Sequence, residues 1–260
     1  MMIRTKLFFE SKDLIYAWMG RTVRGRYQQS LLGWFWAVVQ PVATVLIFTI
    51  VFTRFVKVDT GDIPYVVFSY VAVVPWTFFA SSLTDMAMSL VQNMNLVTKI
   101  YFPREALPIA AMLARLLDFG ISAVIIALLI VFYRLPLFSH SLLFLPIILL
   151  VHVALTAGLG LIAAAGNVFY RDVDPFLRLG LQIWFYASPI IYPTSLVPPN
   201  YKGLYFLNPM AGIIEAYRDV LIRGELPGQY FLPAAIISIF ILMIGYWLFK
   251  RVEPLFADIV

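Results

Sequence analysis

The amino-acid sequence predicts an all-α membrane protein that has six transmembrane helices and both termini in the cytoplasm. Three observations support this fold class. Of the 260 residues, 62% are hydrophobic and 13% are charged, which is about half the charged fraction of a soluble domain. Several stretches without charge reach the roughly 20 residues that a helix needs to cross a bilayer. Lys and Arg are also distributed unequally between the predicted loops, as in membrane proteins whose cytoplasmic loops are basic.

The apolar stretches define the predicted spans one by one. The third stretch is short, and it reaches full length only when it is extended back through Arg115 and Asp118, which can pair at i and i+3 on one helix face. The fifth contains Pro189 and Pro193, which mark irregular backbone; at membrane depth such backbone is tolerated only against protein or a water-filled cavity. The six spans are residues 31–53, 63–84, 119–133, 135–170, 179–201 and 226–249.

The basic residues orient these spans within a single domain of residues 1–260. With the N-terminus inside, twelve Lys and Arg residues fall on the cytoplasmic side and six on the outer side, in agreement with the positive-inside rule. The formal charge of +5 then reflects topology and attraction to the inner leaflet. We expect contact with the membrane and none with nucleic acid, because the sequence has no basic stripe on a soluble face.

Residues 1–30 precede the first span and predict an amphipathic helix. Leu14, Ile15, Trp18 and Met19 share one helical face, and charged residues occupy the others. This composition is typical of a helix that lies in the cytoplasmic membrane interface. A cytoplasmic helix that packs on the bundle is the alternative.

Residues 203–224, between the fifth and sixth spans, fit neither a span nor an ordinary loop. Their charge-free part, residues 203–214, has only twelve residues, which is too short to cross a bilayer. It is nevertheless too apolar for an exposed outer loop. We therefore predict an extracytoplasmic pair of re-entrant or surface-lying short helices.

The loop between spans four and five contains Asp172 and Asp174, in an Asp-x-Asp pattern that some glycosyltransferases use to hold a metal ion. Two carboxylates alone rarely hold Mg²⁺, and Arg171 and Arg178 are close enough in sequence to neutralise them. A charge-paired structural turn is therefore favoured. We predict neither a metal site nor catalytic residues.

Five blocks of sequence resemble a known family. In their observed order they are similar to the permease subunits of ATP-binding-cassette polysaccharide exporters, which move O-antigen, capsule or teichoic-acid polymers out of bacterial cells. The resemblance spans nearly the whole chain and is closest to the O-antigen type. The blocks are SLLGWFWAVVQPV (30–42), NLVTKIYFPREALP (95–108), GNVFYRDV (166–173), ASPIIYP (187–193) and LNPMAGIIEAYRDVLIRG (207–224).

The resemblance implies a transporter subunit, not an enzyme, in the bacterial inner membrane. It would move a lipid-linked, O-antigen-like polysaccharide together with a second copy of itself and two copies of a nucleotide-binding ATPase subunit. No cofactor is expected on this chain, which has no G-x-x-x-x-G-K-[ST] phosphate loop; ATP and Mg would bind the partner. Two alternatives stay open: a capsule or teichoic-acid exporter permease, and a membrane-embedded enzyme of lipid-linked sugar metabolism.

Residues 93–105 are the segment on which the ATPase is expected to act. A short helix should end at Phe102, because a residue that precedes proline disfavours the α conformation. The alternative is a loop with a helix stop and basic side chains that reach toward lipid head groups. The residues expected to couple this segment to the ATPase are Asn95, Lys99, Phe102, Arg104 and Glu105.

Aromatic clusters on spans one and five suggest a path for the polymer. Trp and Tyr at a membrane interface are commonly belt residues, but rings can also stack on the apolar faces of sugars. A two-fold dimer would place spans one and five of each copy beside a central path. The residues predicted to line it are Trp34, Phe35, Trp36, Trp184, Phe185, Tyr186 and Tyr192.

Arg21, Arg24 and Arg26 lie just before the first span, at the predicted inner mouth of that path. Guanidinium groups bind phosphate in a bidentate manner. These residues are therefore candidates for contact with the diphosphate of a lipid-linked polymer. Attraction to anionic lipid is the alternative.

Overall fold

The computed structural model describes residues 12–27, 33–99, 102–135 and 140–257, and every regular element in these ranges is helical. Short 3₁₀ or π turns extend several helices, including Val51–Phe55 after α2, His140–Phe144 before α6, Asp219–Arg223 after α9 and Glu253–Ala257 after α10. The α-helices are α1 (Lys12–Tyr27), α2 (Trp36–Ile50), α3 (Tyr65–Ser89), α4 (Met94–Lys99), α5 (Ala106–Phe132), α6 (Leu145–Phe169), α7 (Val173–Tyr186), α8 (Lys202–Tyr205), α9 (Pro209–Arg218) and α10 (Phe231–Val252).

Five helical runs in the described ranges are long and apolar enough to cross a bilayer. They correspond to predicted spans one, two, three, four and six. The third begins at Ala106 and therefore passes through Arg115 and Asp118, as predicted. The runs are Trp36–Phe55, Tyr65–Lys99, Ala106–Phe132, His140–Phe169 and Phe231–Phe256.

The fifth predicted span is not one continuous helix. α7 begins at Val173, six residues before the predicted start at Leu179, and ends at Tyr186. Its 14 residues extend over about 21 Å at helical rise, less than the roughly 30 Å of a hydrocarbon core. Pro189 and Pro193 follow this end, and the chain continues in turns until α8, because proline cannot continue the helical hydrogen-bond pattern.

Two sets of contacts define the ends of the bundle. The rings of Phe169, the last residue of α6, and Phe256, just after α10, lie 5.9 Å apart. These helices therefore run in the same direction and finish at one end, here called the C-terminal end. At the opposite end, the Tyr65 hydroxyl donates to the Ile191 carbonyl at 2.8 Å. Residues 170–191 thus carry the chain from one end to the other.

α6 and α10 approach each other closely along their length. A Cβ atom at Gly245 would lie 2.2 Å from the Gly158 carbonyl oxygen, so this contact requires glycine. Small residues permit such close approach between membrane helices, where dispersion and packing replace the hydrophobic effect. α6 and α10 therefore form a fixed scaffold.

α1 packs along the first half of α5. Ile15 is buried with Ala106 and Ala110, and Leu14, Trp18 and Met19 pack around them. The predicted apolar face exists, but α5 covers it, so it is not available for insertion into lipid. The structure thus favours the alternative in which this helix packs on the bundle. The rest of residues 1–30 lies outside the described residues.

α9 lies inside the bundle, although it has only ten residues. Every one of them is buried, against α3, α6 and α10. Asn208 caps the helix, because its side-chain oxygen accepts from the Met210 N–H at 3.0 Å. At about 15 Å, α9 is half as long as a bilayer core is thick.

Candidate functional site

The coupling segment forms a small helix at the C-terminal end of the bundle. α4 is described as far as Lys99, and the chain is no longer helical at Phe102 and Pro103, as the sequence predicts. Val97 is buried, whereas Gln92, Asn95 and Lys99 are exposed. Positions 92, 95 and 99 are spaced i, i+3 and i+7, so these three polar side chains share one face.

Arg104 and Glu105 fasten this segment to the chain's own C-terminal part. Arg104 donates to the backbone carbonyl of Glu253, and its backbone N–H donates to the Glu253 carboxylate at 3.2 Å. Glu105 is buried and forms an ion pair with Lys250. Phe102 packs at the edge of the adjoining apolar cluster. The structure therefore brings all five predicted coupling residues together, but only Asn95 and Lys99 are exposed.

α2 presents one uncovered face to its surroundings. Five of its six exposed residues recur at intervals of four and three, which at helical pitch forms a single stripe, and the sixth, Leu46, adjoins it. This stripe begins at Trp36, whose side chain is 50% exposed, and the preceding Phe35 is also exposed. Its members are Trp36, Gln40, Ala43, Ile47 and Ile50.

α7 presents a second uncovered face beside the first. Leu181 is its one buried residue, and Tyr186 is 60% exposed. The rings of Phe48 on α2 and Phe185 on α7 lie 6.0 Å apart, so the two helices are neighbours. Unlike the purely apolar exposed faces typical of lipid contact, this face also carries Gln182 and Arg178.

The other aromatic path candidates make internal contacts. The Trp184 indole N–H donates to the Asn208 side chain at 2.8 Å, and the Phe185 ring lies 5.7 Å from that of Trp76. The Tyr192 hydroxyl lies 3.1 Å from that of Tyr205. These residues therefore hold α7 and the turns after it against the bundle. The Trp34 side chain lies outside the described residues.

The three predicted diphosphate contacts lie on α1. Arg21 and Arg24 are exposed, and the Arg21 guanidinium lies 4.5 Å from the centre of the Trp18 ring, within the range of a cation–π contact. The Arg26 side chain is outside the described residues. A pocket of about 250 Å³ lies below this part of α1, and Trp18, Thr22, Asp85 and Arg178 contribute to its walls.

Of the two carboxylates Asp172 and Asp174, only Asp174 is paired with an arginine of the described ranges as predicted, and this pair lies in the first turns of α7. Arg178 donates to the Asp174 carboxylate at 3.0 Å in an exposed i, i+4 pair. A second predicted pair, Arg115 with Asp118, also forms at 3.4 Å. The closer partner of Arg115 is Asp85 on α3, at 2.7 Å, and this pair was not predicted from the sequence. The signal was available, since Asp85 is the charge that ends the apolar stretch 63–84.

A buried ion-pair network occupies the segment 203–224. Arg218 is 1% exposed; it donates to Glu215 at 2.7 Å and lies over the Phe68 ring at 3.6 Å. Arg223 pairs with both Glu215 and Asp219. Burial raises the pKa of the Asp219 carboxyl above its ordinary value, against the opposing effect of the hydrogen bond from the Gly228 N–H.

The five long apolar helical runs in the described ranges are those of a multi-pass membrane protein. The chain belongs to the ABC-2 type transporter family, which it matches over residues 13–222. This match covers four of the five spanning helices and the segment through α9.

Individual relatives match along almost their whole length. The chain is 29% identical over 249 residues to an O-antigen export system permease protein RfbA of Klebsiella pneumoniae, covering 95% of each chain. It is 27% identical over 253 residues to the protein of the same name from Myxococcus xanthus, covering 96% of each. The polysialic acid transport protein KpsM of Escherichia coli is 25% identical over 251 residues, or 95% of this chain and 96% of that protein.

Proposed function

We propose that this chain is the transmembrane subunit of an ATP-driven exporter that moves a lipid-linked, O-antigen-like polysaccharide across the bacterial inner membrane. The observation that carries the proposal is the full-length similarity to two export permeases of the O-antigen type and to a polysialic acid transporter. A capsule or teichoic-acid polymer is the alternative substrate within the same class. Identity is higher to the O-antigen relatives, which favours the first substrate.

The energy source is proposed to be a separate ATPase subunit, bound in two copies at the C-terminal end. The exposed side chains of Gln92, Asn95 and Lys99 supply the contact face. Arg104 and Glu105 are proposed to position α4 without contacting the ATPase, because their bonds attach the segment after α4 to residues 250–253. A movement of α4 that the ATPase causes would therefore be transmitted to α10 through these ion pairs, and to α5 through the short connection between α4 and α5.

This division of roles predicts that Lys99→Glu weakens co-purification with the ATPase about tenfold, corresponding to roughly 1.4 kcal/mol, while the permease stays inserted. Arg251→Glu is the matched control, because Arg251 is also an exposed cation at this end but lies on α10. Affinity purification of the complex from membranes measures both. Unchanged ATPase recovery with Lys99→Glu would remove α4 from the interface.

The substrate path is proposed to lie between two copies of this chain, against the uncovered faces of α2 and α7. Trp36 and Ala43 are seven residues apart on the α2 stripe, as are Gln40 and Ile47, and a seven-residue repeat suits the packing of one helix on another. Ala43 would permit close approach. Exposed rings at Phe35, Trp36 and Tyr186 would offer sugars weak contacts, repeated along the path.

The membrane topology is proposed to include a sixth crossing that is formed by α7 and the turns after it, not by one continuous helix. α6 and α10 run in parallel, so residues 170–230 must return the chain to the opposite end. α7 and the turns after it make this return, and α8 and α9 complete a re-entrant outer segment. Lys99, Arg104, Arg171, Lys250 and Arg251 gather at the C-terminal end, which supports a cytoplasmic location for that end and for both termini.

Arg21 and Arg24, with Arg26, are proposed to contact the diphosphate of the lipid-linked polymer before it enters the path. Their support is exposure on α1 beside a polar pocket. Guanidinium groups can grip phosphate oxygens with two parallel hydrogen bonds.

Removal of the gene from its native bacterium tests the export function. Surface polysaccharide should be lost while finished lipid-linked polymer accumulates inside the cell, and a plasmid copy should restore export. Fractionation of polymer between the cell surface and the cytoplasmic side of the membrane gives the measurement. An enzyme of lipid-linked sugar metabolism would behave differently, because its loss would stop or truncate polymer synthesis.

A further inference from the structure

A polar cavity lies inside the protomer, between α2, α3 and α5. Its volume is about 180 Å³, which is enough for several water molecules. Thr77 and Ser81 form one wall, near the middle of the helical run Tyr65–Lys99. Trp36 and Gln40 form another wall on the exposed stripe of α2, so the cavity opens on the surface proposed to line the substrate path.

The polar groups around this cavity differ in whether they already form hydrogen bonds within the protein. The Ser122 hydroxyl donates to the Ala37 carbonyl at 2.9 Å, and that of Thr77 to Val73 at 2.8 Å. By contrast, neither the Ser81 hydroxyl nor the Gln40 amide forms a hydrogen bond with any residue in the described ranges. Ser81 is half-buried and Gln40 is exposed, so both side chains can form hydrogen bonds with a ligand that enters the cavity.

The charged groups of the cavity indicate which ligand it takes. The Arg115 guanidinium is held by Asp85 at 2.7 and 3.2 Å and by Asp118 at 3.4 Å. Three of its N–H groups thus donate to carboxylates of the protein, which disfavours a phosphate or carboxylate ligand. Asp118, the partner of Arg115, also contributes to the cavity wall.

The aromatic side chains of the cavity supply a complementary apolar surface. The Trp36 side chain is half exposed at the opening, and Phe78 and Phe119 contribute to the interior. A few fixed polar groups among aromatic rings are typical of small-molecule sites. A sugar ring has the same two characters, with hydroxyl groups at its edge and C–H groups on its faces.

We propose that this cavity is a binding site for one neutral sugar unit of the transported polymer. Ser81 and Gln40 would bond its hydroxyl groups, and Trp36 would cover one face of its ring. The proposal rests on the export function argued above and adds to it a site within each protomer, beside the central path. Such a site would hold the polymer between steps and distinguish neutral sugars from charged ones.

Cysteine labelling tests this site directly, because the natural chain has no cysteine. Ser81→Cys, with Thr77→Cys as a second reporter, is treated with 2-aminoethyl methanethiosulfonate in membranes without ATP. The membranes come from cells that make the polymer and from cells in which its synthesis is blocked. Val73→Cys is the control, since Val73 lies on α3 but is 2% exposed within the apolar core.

Both cavity cysteines should react in membranes without polymer, and the reaction should be about tenfold slower where polymer fills nine-tenths of the sites; Val73→Cys should stay unreactive in both. Absence of labelling at both positions would show a dry cavity and overturn the proposal. Equal labelling with and without polymer would overturn it too, because the site would hold only water. Export by the unmodified chain is measured in the same cells, so a failure of the export function is separately visible.

Discussion

α7 and α9 are both too short to cross a bilayer, yet the fraction of buried residues differs greatly between them. α7 has 14 residues and buries Leu181 alone, whereas α9 has ten residues and buries all of them. Each contains an acid and an arginine that pair within one helical turn. In α7 the pair of Asp174 and Arg178 is exposed, while in α9 the Arg218 of the pair is fully enclosed.

The two helices thus differ in the environment of their charges, which is buried in α9 and exposed in α7. α9 joins α3, α6 and α10, and its ion pair is largely shielded from water. α7 keeps its polar side chains at the surface, beside the uncovered stripe of α2. We therefore expect substitutions in α9 to affect folding, and substitutions on the exposed face of α7 to affect transport.

The largest expected effect is the loss of the buried arginine. Arg218→Met leaves Glu215 as a buried charge with a partly exposed partner, and breaking a buried pair typically costs about 3–5 kcal/mol. Thermal unfolding of the purified protein in detergent should show a melting temperature lower by roughly 10 °C.

Arg178→Met in α7 is the matched control for that substitution. Its exposed pair with Asp174 contributes at most about 1 kcal/mol, so the melting temperature should change little. If both variants melt alike, the distinction between a buried scaffold and an exposed surface is wrong.

A smaller effect is expected from Tyr186→Ala on the exposed face of α7. One ring contact is worth about 0.5–1.5 kcal/mol, so polymer export should fall by roughly 2-fold to 13-fold while folding and ATP hydrolysis continue. Trp247→Leu is the control, because Trp247 is an equally exposed ring on the apolar face of α10. Equal losses of export in the two variants would place Tyr186 in the lipid belt instead of the path.

Much of the fold follows from the sequence because apolar length and helix stops are local properties. The five long apolar runs that contain α2, α3, α5, α6 and α10 could be predicted without knowledge of their neighbours. For α5 it was enough to accept Arg115 and Asp118 inside a helix. The fifth span failed as one helix because Pro189 and Pro193 limit helix length more strongly than apolarity extends it. The prolines were visible, but how the chain continues after them depends on packing.

The candidate site was less predictable because its features depend on contacts between distant residues. Arg115 binds Asp85, which is 30 positions away in sequence, and Arg104 binds the chain near Glu253, 149 positions away. The residue types alone indicated only that these positions of the candidate site are charged or aromatic. They could not indicate that Arg104 and Glu105 face inward while Lys99 faces outward, nor that a cavity lies behind Trp36.

Cross-linking between copies of the chain tests whether the uncovered face of α2 contacts the same face of a second copy beside the substrate path. Single cysteines are placed at Ala43 on the α2 stripe and, for comparison, at Val124 on the exposed apolar face of α5, and intact membranes are oxidised. We expect a disulfide-linked dimer through position 43 and none through position 124. Efficient linkage through α5, with none through α2, would contradict it.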